Sequence, residues 1–286
     1  MKDYWILIRP RIVALVLFGM AVAAWTAGST PPEWPQVVHA LLGTAAVIAG
    51  AIAMNQRIEH LGDARMPRTA ERPLPSGHLT LRKVLLFAMI TTGAGLGYLA
   101  LWSNLLVTAL AAASWLIYVA AYTPLKPLTT WQTPVGAVAG AMPMLLGAAA
   151  GGAPLGATAW ALFGIVFFWQ FPHAMAIAWL YRDQFASAEV KLAAVLDPSG
   201  RTAGVLSVLG AAVLVPVSLV PFWALPASWG YAASATALGA VYLAASVAFF
   251  LERRETSARR LLRVSLVYLT VLFIALLAAK MAAAGH

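Results

Sequence analysis

Asn55, Glu59 and Asp63 recur at i, i+4 and i+8 in the run Asn55-Gln-Arg-Ile-Glu59-His-Leu-Gly-Asp63. On a helix this places three oxygen-bearing side chains on one stripe about 12 Å long, drifting by about 80° around the axis. Such a stripe suits a hard cation. Mg²⁺ normally takes one or two carboxylates and completes its shell with water and substrate phosphate. Arg65, Arg68 and Arg72 follow directly, and guanidinium forks match the geometry of phosphate. The run therefore reads as a site for a metal-bound diphosphate. A solvated helix end with locally paired charges is the plainer alternative. What favours chemistry is that the stripe prolongs a hydrophobic helix.

Three more segments carry reactive groups. Asp183, in Tyr181-Arg182-Asp183-Gln184, is the candidate ligand of a second metal. Two metals facing one diphosphate would neutralise its departing charge. Lys126 is the lone charge of its loop, in Tyr122-Thr-Pro-Leu-Lys126, and suits either a phosphate or lipid headgroups. Trp169-Gln170-Phe171-Pro172-His173 puts polar groups inside an apolar stretch, where they are costly and usually face the bundle interior. His173 there fits proton transfer, haem ligation, contact with a polar substrate group, or a simple bond to a neighbouring helix. Pro172 predicts a local kink.

These groups must be positioned by membrane helices. The chain has 286 residues, of which 62% are hydrophobic and 10% charged. A soluble domain is nearer half apolar and a quarter charged, so this is a membrane protein and neither disordered nor built around a large aqueous domain. There is no cysteine, which excludes disulfides, thiolate catalysis and Cys-ligated metal or haem. Windows of about 20 apolar residues give nine spans in an all-α polytopic fold. They are 10–28, 36–55, 83–102, 104–122, 134–152, 158–181, 203–223, 230–251 and 261–280.

Of the 19 basic residues, 18 fall in alternate loops and only Lys280 lies at the far side. The positive-inside rule then predicts a cytoplasmic N-terminus. The net charge of +9 is explained by topology and contact with anionic lipid, so no nucleic-acid partner is expected. Long loops follow the second and sixth windows, four apart. That predicts one domain over 1–286, with helices 1–4 and 5–8 as pseudo-repeats and a ninth helix added. The charges cluster at one face, and apart from His173 no ionisable chain crosses the midplane, which disfavours a transporter.

With these residues assembled, the chain resembles the UbiA-type intramembrane prenyltransferases over essentially its whole length, and within them the branch that farnesylates haem. Arg9-Pro-Arg-Ile-Val13 is similar to the family's opening. Asn55 to Gly77 is similar to its first acidic motif and the Arg-Pro-Leu-Pro-x-Gly that follows. Tyr122 to Lys126 is similar to its tyrosine–lysine loop, Arg259 to Tyr268 to its last helix, and Trp169-Gln-Phe-Pro-His173 to the haem branch.

The resemblance implies nine helices around a central cavity in the inner (cytoplasmic) membrane, with the site at the cytoplasmic face. It implies Mg²⁺ as cofactor, held by Asn55, Glu59, Asp63 and Asp183, and a diphosphate held by Arg65, Arg68, Arg72, Lys126 and Arg182. His173, Gln170, Trp169 and Tyr122 would contact haem. The implied reaction moves a farnesyl group from farnesyl diphosphate to a vinyl group of haem B, giving heme O (hydroxyethylfarnesyl haem) and pyrophosphate. Haem-modifying or oxidase-assembly proteins would fit as partners, though no residue specifies one. Glu59 stands where many members carry Asp, Leu61 and Gln184 where they often carry further acids, and Ala174 where an aromatic usually follows the His. Two alternatives share the fold: a prenyltransferase acting on a quinone precursor or other aromatic, and a non-catalytic haem- or lipid-binding membrane protein.

Overall fold

The computed structural model describes residues 2–28, 30–224 and 229–284. Among them every regular element is a helix. In order these are α1 (Lys2–Ile8), α2 (Pro10–Thr26), α3 (Trp34–Arg65), α4 (Leu81–Trp102) and α5 (Leu105–Leu116). A π-helical turn (Ile117–Tyr122) then leads into α6 (Thr123–Leu125). They continue with α7 (Gln132–Ala150), α8 (Ala157–Leu180), α9 (Arg182–Ser187), α10 (Ala193–Leu196), α11 (Arg201–Ala224), α12 (Trp229–Glu252) and α13 (Glu255–Ala284). Eight helices among the described residues are long and apolar enough to cross a membrane. A ninth results if α1 and α2, bent by 45° at Arg9, form one span. The first span thus begins earlier than its hydropathy window, because Lys2, Asp3 and Arg9 dilute the apolar average there.

The helices form two groups. α3, α4, α5 and α7 pack together on one side; α8, α11, α12 and α13 pack on the other, and α2 and the α7–α8 contact join them. Tyr231, Tyr242, Phe249 and Tyr268 fill the second group. Van der Waals packing and close backbone approach must hold such a bundle, since lipid tails are as apolar as the side chains. Gly147 and Gly151 of α7 show how: a Cβ on either would lie 2.1 Å from the Met20 carbonyl oxygen or 2.3 Å from that of Ala24 on α2. Only hydrogen fits there. α7 runs regularly through Pro143, and α8 runs through Pro172 without a break in the helix.

α3 is the longest element. Its 32 residues span about 48 Å, against a hydrocarbon core of about 30 Å. Its C-terminal end, carrying the acidic stripe, therefore projects beyond the apolar slab.

Candidate active site

The loop after α3 folds back onto it. The Thr69 hydroxyl donates to the Asp63 carbonyl at 2.7 Å, and the Leu79 N–H donates to the Pro73 carbonyl at 2.8 Å. Leu74 and Leu79 anchor the return by packing with Leu7, Val84 and Ala88. Gly77, at φ +80°, makes the turn that brings the chain into α4; this left-handed backbone is one that glycine adopts without strain. The effect is to aim Arg72 back at α3, where its Nη1 meets Asp63 Oδ2 at 2.5 Å. Asp63 is only 2% exposed.

The opposite wall comes from the end of the fourth apolar stretch. The π-helical turn ends where the Thr123 N–H donates to the Tyr118 carbonyl, five residues back. π-turns inside α-helices are rare and gather at functional sites. This one turns Tyr118, Tyr122, Thr123 and Lys126 towards α3. Thr123 Oγ1 accepts a bond from Asn55 Nδ2 at 3.0 Å. Lys126 Nζ lies 2.5 Å from Glu59 Oε1 and 4.5 Å from the centre of the Tyr122 ring.

Between these walls lies a polar cavity of about 540 Å³, lined by Asn55, Glu59, Asp63, Arg9, Arg68, Arg72, Lys126 and His173. Five cations (Arg9, Arg65, Arg68, Arg72 and Lys126) face three carboxylates (Glu59, Asp63 and Glu189) there. Lost hydration, and then the charge of Arg72, lower the pKa of Arg68 from its ordinary value. The site thus holds excess positive charge that an anion would relieve. Tyr118, Tyr122, Gln132, Ala174 and Leu192 are shared with a second, apolar chamber of about 330 Å³. That chamber runs among Ile12, Val16, Val47, Ile48, Pro143 and Gln170. Gly136 and Gly140 give it width: a Cβ on Gly136 would meet the Tyr122 ring at 2.6 Å, and one on Gly140 would meet Gln170 Oε1 at 2.3 Å. A charged head and an apolar tail could occupy the two compartments together.

The expected residues are not all brought to one place. Asn55, Glu59, Asp63, Arg68, Arg72, Lys126, Tyr122 and His173 line the polar cavity. Arg65 stands at its rim, paired with Glu189 at 2.6 Å. Gln170 lines the apolar chamber and donates to the Ala137 carbonyl at 3.0 Å. Trp169 lies behind His173, their rings stacked at 4.6 Å. Asp183 and Arg182 are not on the wall. The Asp183 side chain is 93% exposed, 4.0 Å from Arg182 Nε, and Arg182 caps the Trp179 carbonyl and lies over its indole. The chain breaks at Tyr181, which turns α9 away from the line of α8.

Arg9 was not singled out as a site residue from the sequence, yet it lines the cavity beside Asn55 and Arg72. Its backbone is left-handed, φ 51°, an uncommon state for a non-glycine residue. Its signals in the sequence were the Arg9-Pro-Arg-Ile-Val13 run that is similar to the family's opening and Pro10, which ends the preceding helix direction and fixes the next.

Three oxygen-donor side chains on one helix face fit a single hard cation that shares its shell with phosphate. Glu59 Oε1 is buried and pairs with Lys126 Nζ at 2.5 Å, so a cation there would take the place of that ammonium. Among the described residues no three His, Asp or Glu side chains gather into a metal site of their own. A metal here would depend on a phosphate to complete its coordination.

Comparison with known proteins identifies the chain's family and fold. A model of the UbiA prenyltransferase family matches residues 15–282. The chain is 38% identical over 282 residues to a protoheme IX farnesyltransferase of Solibacter usitatus, covering 96% of this chain and 97% of that one. Its fold is similar to the structure of a digeranylgeranylglyceryl phosphate synthase, with a TM-score of 0.81, 15% identity and 98% of each chain covered. It is also similar to a UbiA homologue of Archaeoglobus fulgidus bound to DMAPP and Mg²⁺, with a TM-score of 0.70 and 18% identity, covering 98% of this chain and 99% of that one.

Proposed function

The chain belongs to the UbiA prenyltransferase family, and we propose that it transfers the farnesyl group of farnesyl diphosphate to a vinyl group of haem B, giving heme O and pyrophosphate. The observation that carries this is a pair of adjacent compartments: a cation-rich polar cavity and an apolar chamber that share Tyr118, Tyr122 and Gln132 in their walls. The acceptor follows from a relative that matches almost end to end and is named for farnesylating protohaem.

Arg9, Arg68, Arg72 and Lys126 hold the diphosphate, and Asn55, Glu59 and Asp63 hold Mg²⁺. Bound with the diphosphate, Mg²⁺ supplies charge neutralisation for the departing pyrophosphate. In the present structure Asp63 is paired with Arg72 and Glu59 with Lys126. With a diphosphate bound, Arg72 and Lys126 would turn to phosphate, and Asp63 and Glu59 would be free to hold Mg²⁺. Each buried charge keeps a counter-charge through the swap, which matters because an orphaned buried charge is strongly destabilising.

The farnesyl tail fills the apolar chamber and excludes water from the allylic carbon. The C1–O bond breaks towards pyrophosphate. Tyr118 and Tyr122, with ring centres 5.4 Å apart, present π faces to the positive charge that develops. The terminal vinyl carbon bonds to C1, a water oxygen adds to the inner vinyl carbon, and one proton is released. The site lies at the cytoplasmic face of the inner membrane, as the segregation of basic residues supports.

The test is pyrophosphate release by purified protein supplied with farnesyl diphosphate and either haem B or a hydroxybenzoate acceptor. The reading expects Mg²⁺-dependent release with haem alone. Release only with the hydroxybenzoate would replace the acceptor. No release with either would leave a binding protein of the same fold.

A further inference from the structure

His173 stands on the wall of the polar cavity, seven residues before the end of α8. Its Nδ1 is 2.8 Å from the hydroxyl oxygen of Ser265 on α13. Ser265 has a single hydroxyl proton, and that proton goes to the Leu262 carbonyl at 2.7 Å. With that proton on the carbonyl, Ser265 Oγ is placed to accept from Nδ1–H. In a neutral imidazole this leaves the lone pair on Nε2. Nε2 has no hydrogen-bond partner among the described residues, and the ring lines the polar cavity.

The ring is held from two more directions. Trp169 stacks on it at 4.6 Å, with its own indole N–H donating to the Ser265 carbonyl at 2.7 Å. The Tyr242 hydroxyl donates to the Trp169 carbonyl at 2.9 Å. A histidine whose Nδ1–H is fixed by an acceptor, and whose Nε2 lone pair opens into a cavity, is arranged as a metal ligand with its outer-shell support.

We infer that His173 Nε2 is an axial ligand to the iron of the substrate haem, and that Ser265 is the positioning residue that fixes the tautomer for it. The inference rests on the haem-acceptor reading above and adds to it the means of recognition. Iron, rather than the porphyrin edge alone, selects the acceptor, and the macrocycle is pinned by its centre while a vinyl group meets the farnesyl carbon. His173 and the diphosphate-binding cations line the same cavity, so one ligand bond sets the distance between the two reacting partners.

The test uses the purified full chain with haem B or metal-free protoporphyrin IX as probes. Ferrous haem bound to the native protein should show an iron–histidine stretching band by resonance Raman. His173→Gly should abolish the band, weaken haem binding about tenfold or more, and recover the band when imidazole is added. Metal-free porphyrin should bind both proteins equally, which also shows that the variant is folded. Ser265→Ala should keep ligation but shift the band to lower frequency, since the ring loses the acceptor that makes Nε2 more basic; Ser265→Thr should restore it.

An identical spectrum in native protein and His173→Gly would overturn the ligation. An unshifted band in Ser265→Ala would overturn the relay. Failure of the acceptor reading is separate: it shows as absent farnesylation of haem by native protein, whatever the spectra. Ligation alone fails if haem is farnesylated and the band ignores His173.

Discussion

Replacing Asp63 with Asn removes one charge and almost no volume. Asp63 is 2% exposed and Arg72 lies against it at 2.5 Å. The substitution leaves Arg72 without its counter-ion in a cavity that already holds Arg9 and Arg68. Breaking one side of a buried pair costs about 3 kcal/mol at the lower end of the usual range, the end that suits a cavity reached by water. For a chain of this size that is a fall in Tm of roughly 6–12 °C.

Catalysis should suffer separately. One of two carboxylates that hold the metal against the leaving group is lost, and removing a group that stabilises developing charge costs about 10²–10³ in kcat. The two effects part in the double variant Asp63→Asn, Arg72→Gln. Removing the orphaned cation should return most of the lost Tm, while turnover stays at the level of the single variant or below. Thermal unfolding in detergent and Mg²⁺-dependent pyrophosphate release measure the two quantities. If Asp63→Asn turned over within about threefold of the native rate at saturating Mg²⁺, Asp63 would have no place in the metal site. If the double variant regained both stability and activity, Asp63 would serve only to neutralise Arg72.

Lys126→Met should lower kcat by about 10² or more and raise KM for farnesyl diphosphate, while binding of metal-free protoporphyrin is unchanged; steady-state kinetics and a porphyrin titration check this. Gly147→Leu should destabilise the bundle by about 3 kcal/mol, because the Cβ would enter the Met20 carbonyl and neither backbone can yield; a lowered Tm is the readout. Asp197 accepts bonds from the N–H and hydroxyl groups of both Ser199 and Thr202 at the start of α11. These bonds, the Ser199 hydroxyl first, hold its carboxyl well below the usual carboxylate range. A depressed folded value gives stability that is present above the unfolded pKa of about 3.9 and lost only as pH falls through the folded value. Asp197→Ala should therefore lower Tm by the same amount at pH 5 and pH 8, and the difference should shrink only in strong acid.

The spans were legible because each is an apolar run of bilayer length bounded by charges or by Pro and Gly. The stripe of Asn55, Glu59 and Asp63 was legible because a helix of period 3.6 must align residues four apart. Arg72 was legible by type, but its partner was not. That it bonds Asp63 depends on Leu74 and Leu79 docking against Leu7 and Val84, a contact between distant parts of the chain. Asp183 lies in the loop after α8, and sequence order suggested a second acidic site. The break at Tyr181 turns its side chain to solvent, and breaks of that kind leave no periodic signal.

The π-helical turn was hidden for a related reason. One extra residue in a helical turn shifts the register without altering composition, so the convergence of Tyr118, Tyr122 and Lys126 on α3 appears only in three dimensions. Ser265 gave no sign at all. A serine in an apolar helix ordinarily bonds the carbonyl of its own preceding turn. Ser265 does so, and its remaining lone pair is what orients His173.

The central claim is that haem is the acceptor and the metal-bound diphosphate the leaving group. The direct measurement is mass spectrometry of the porphyrin recovered after purified protein is incubated with haem B, farnesyl diphosphate and Mg²⁺. Hydroxyethylfarnesyl haem should appear, should fail to appear with EDTA, and should fall to trace levels with Asp63→Asn. Recovery of unmodified haem B, under conditions where the same preparation prenylates another aromatic or a known farnesyltransferase modifies haem, would contradict it.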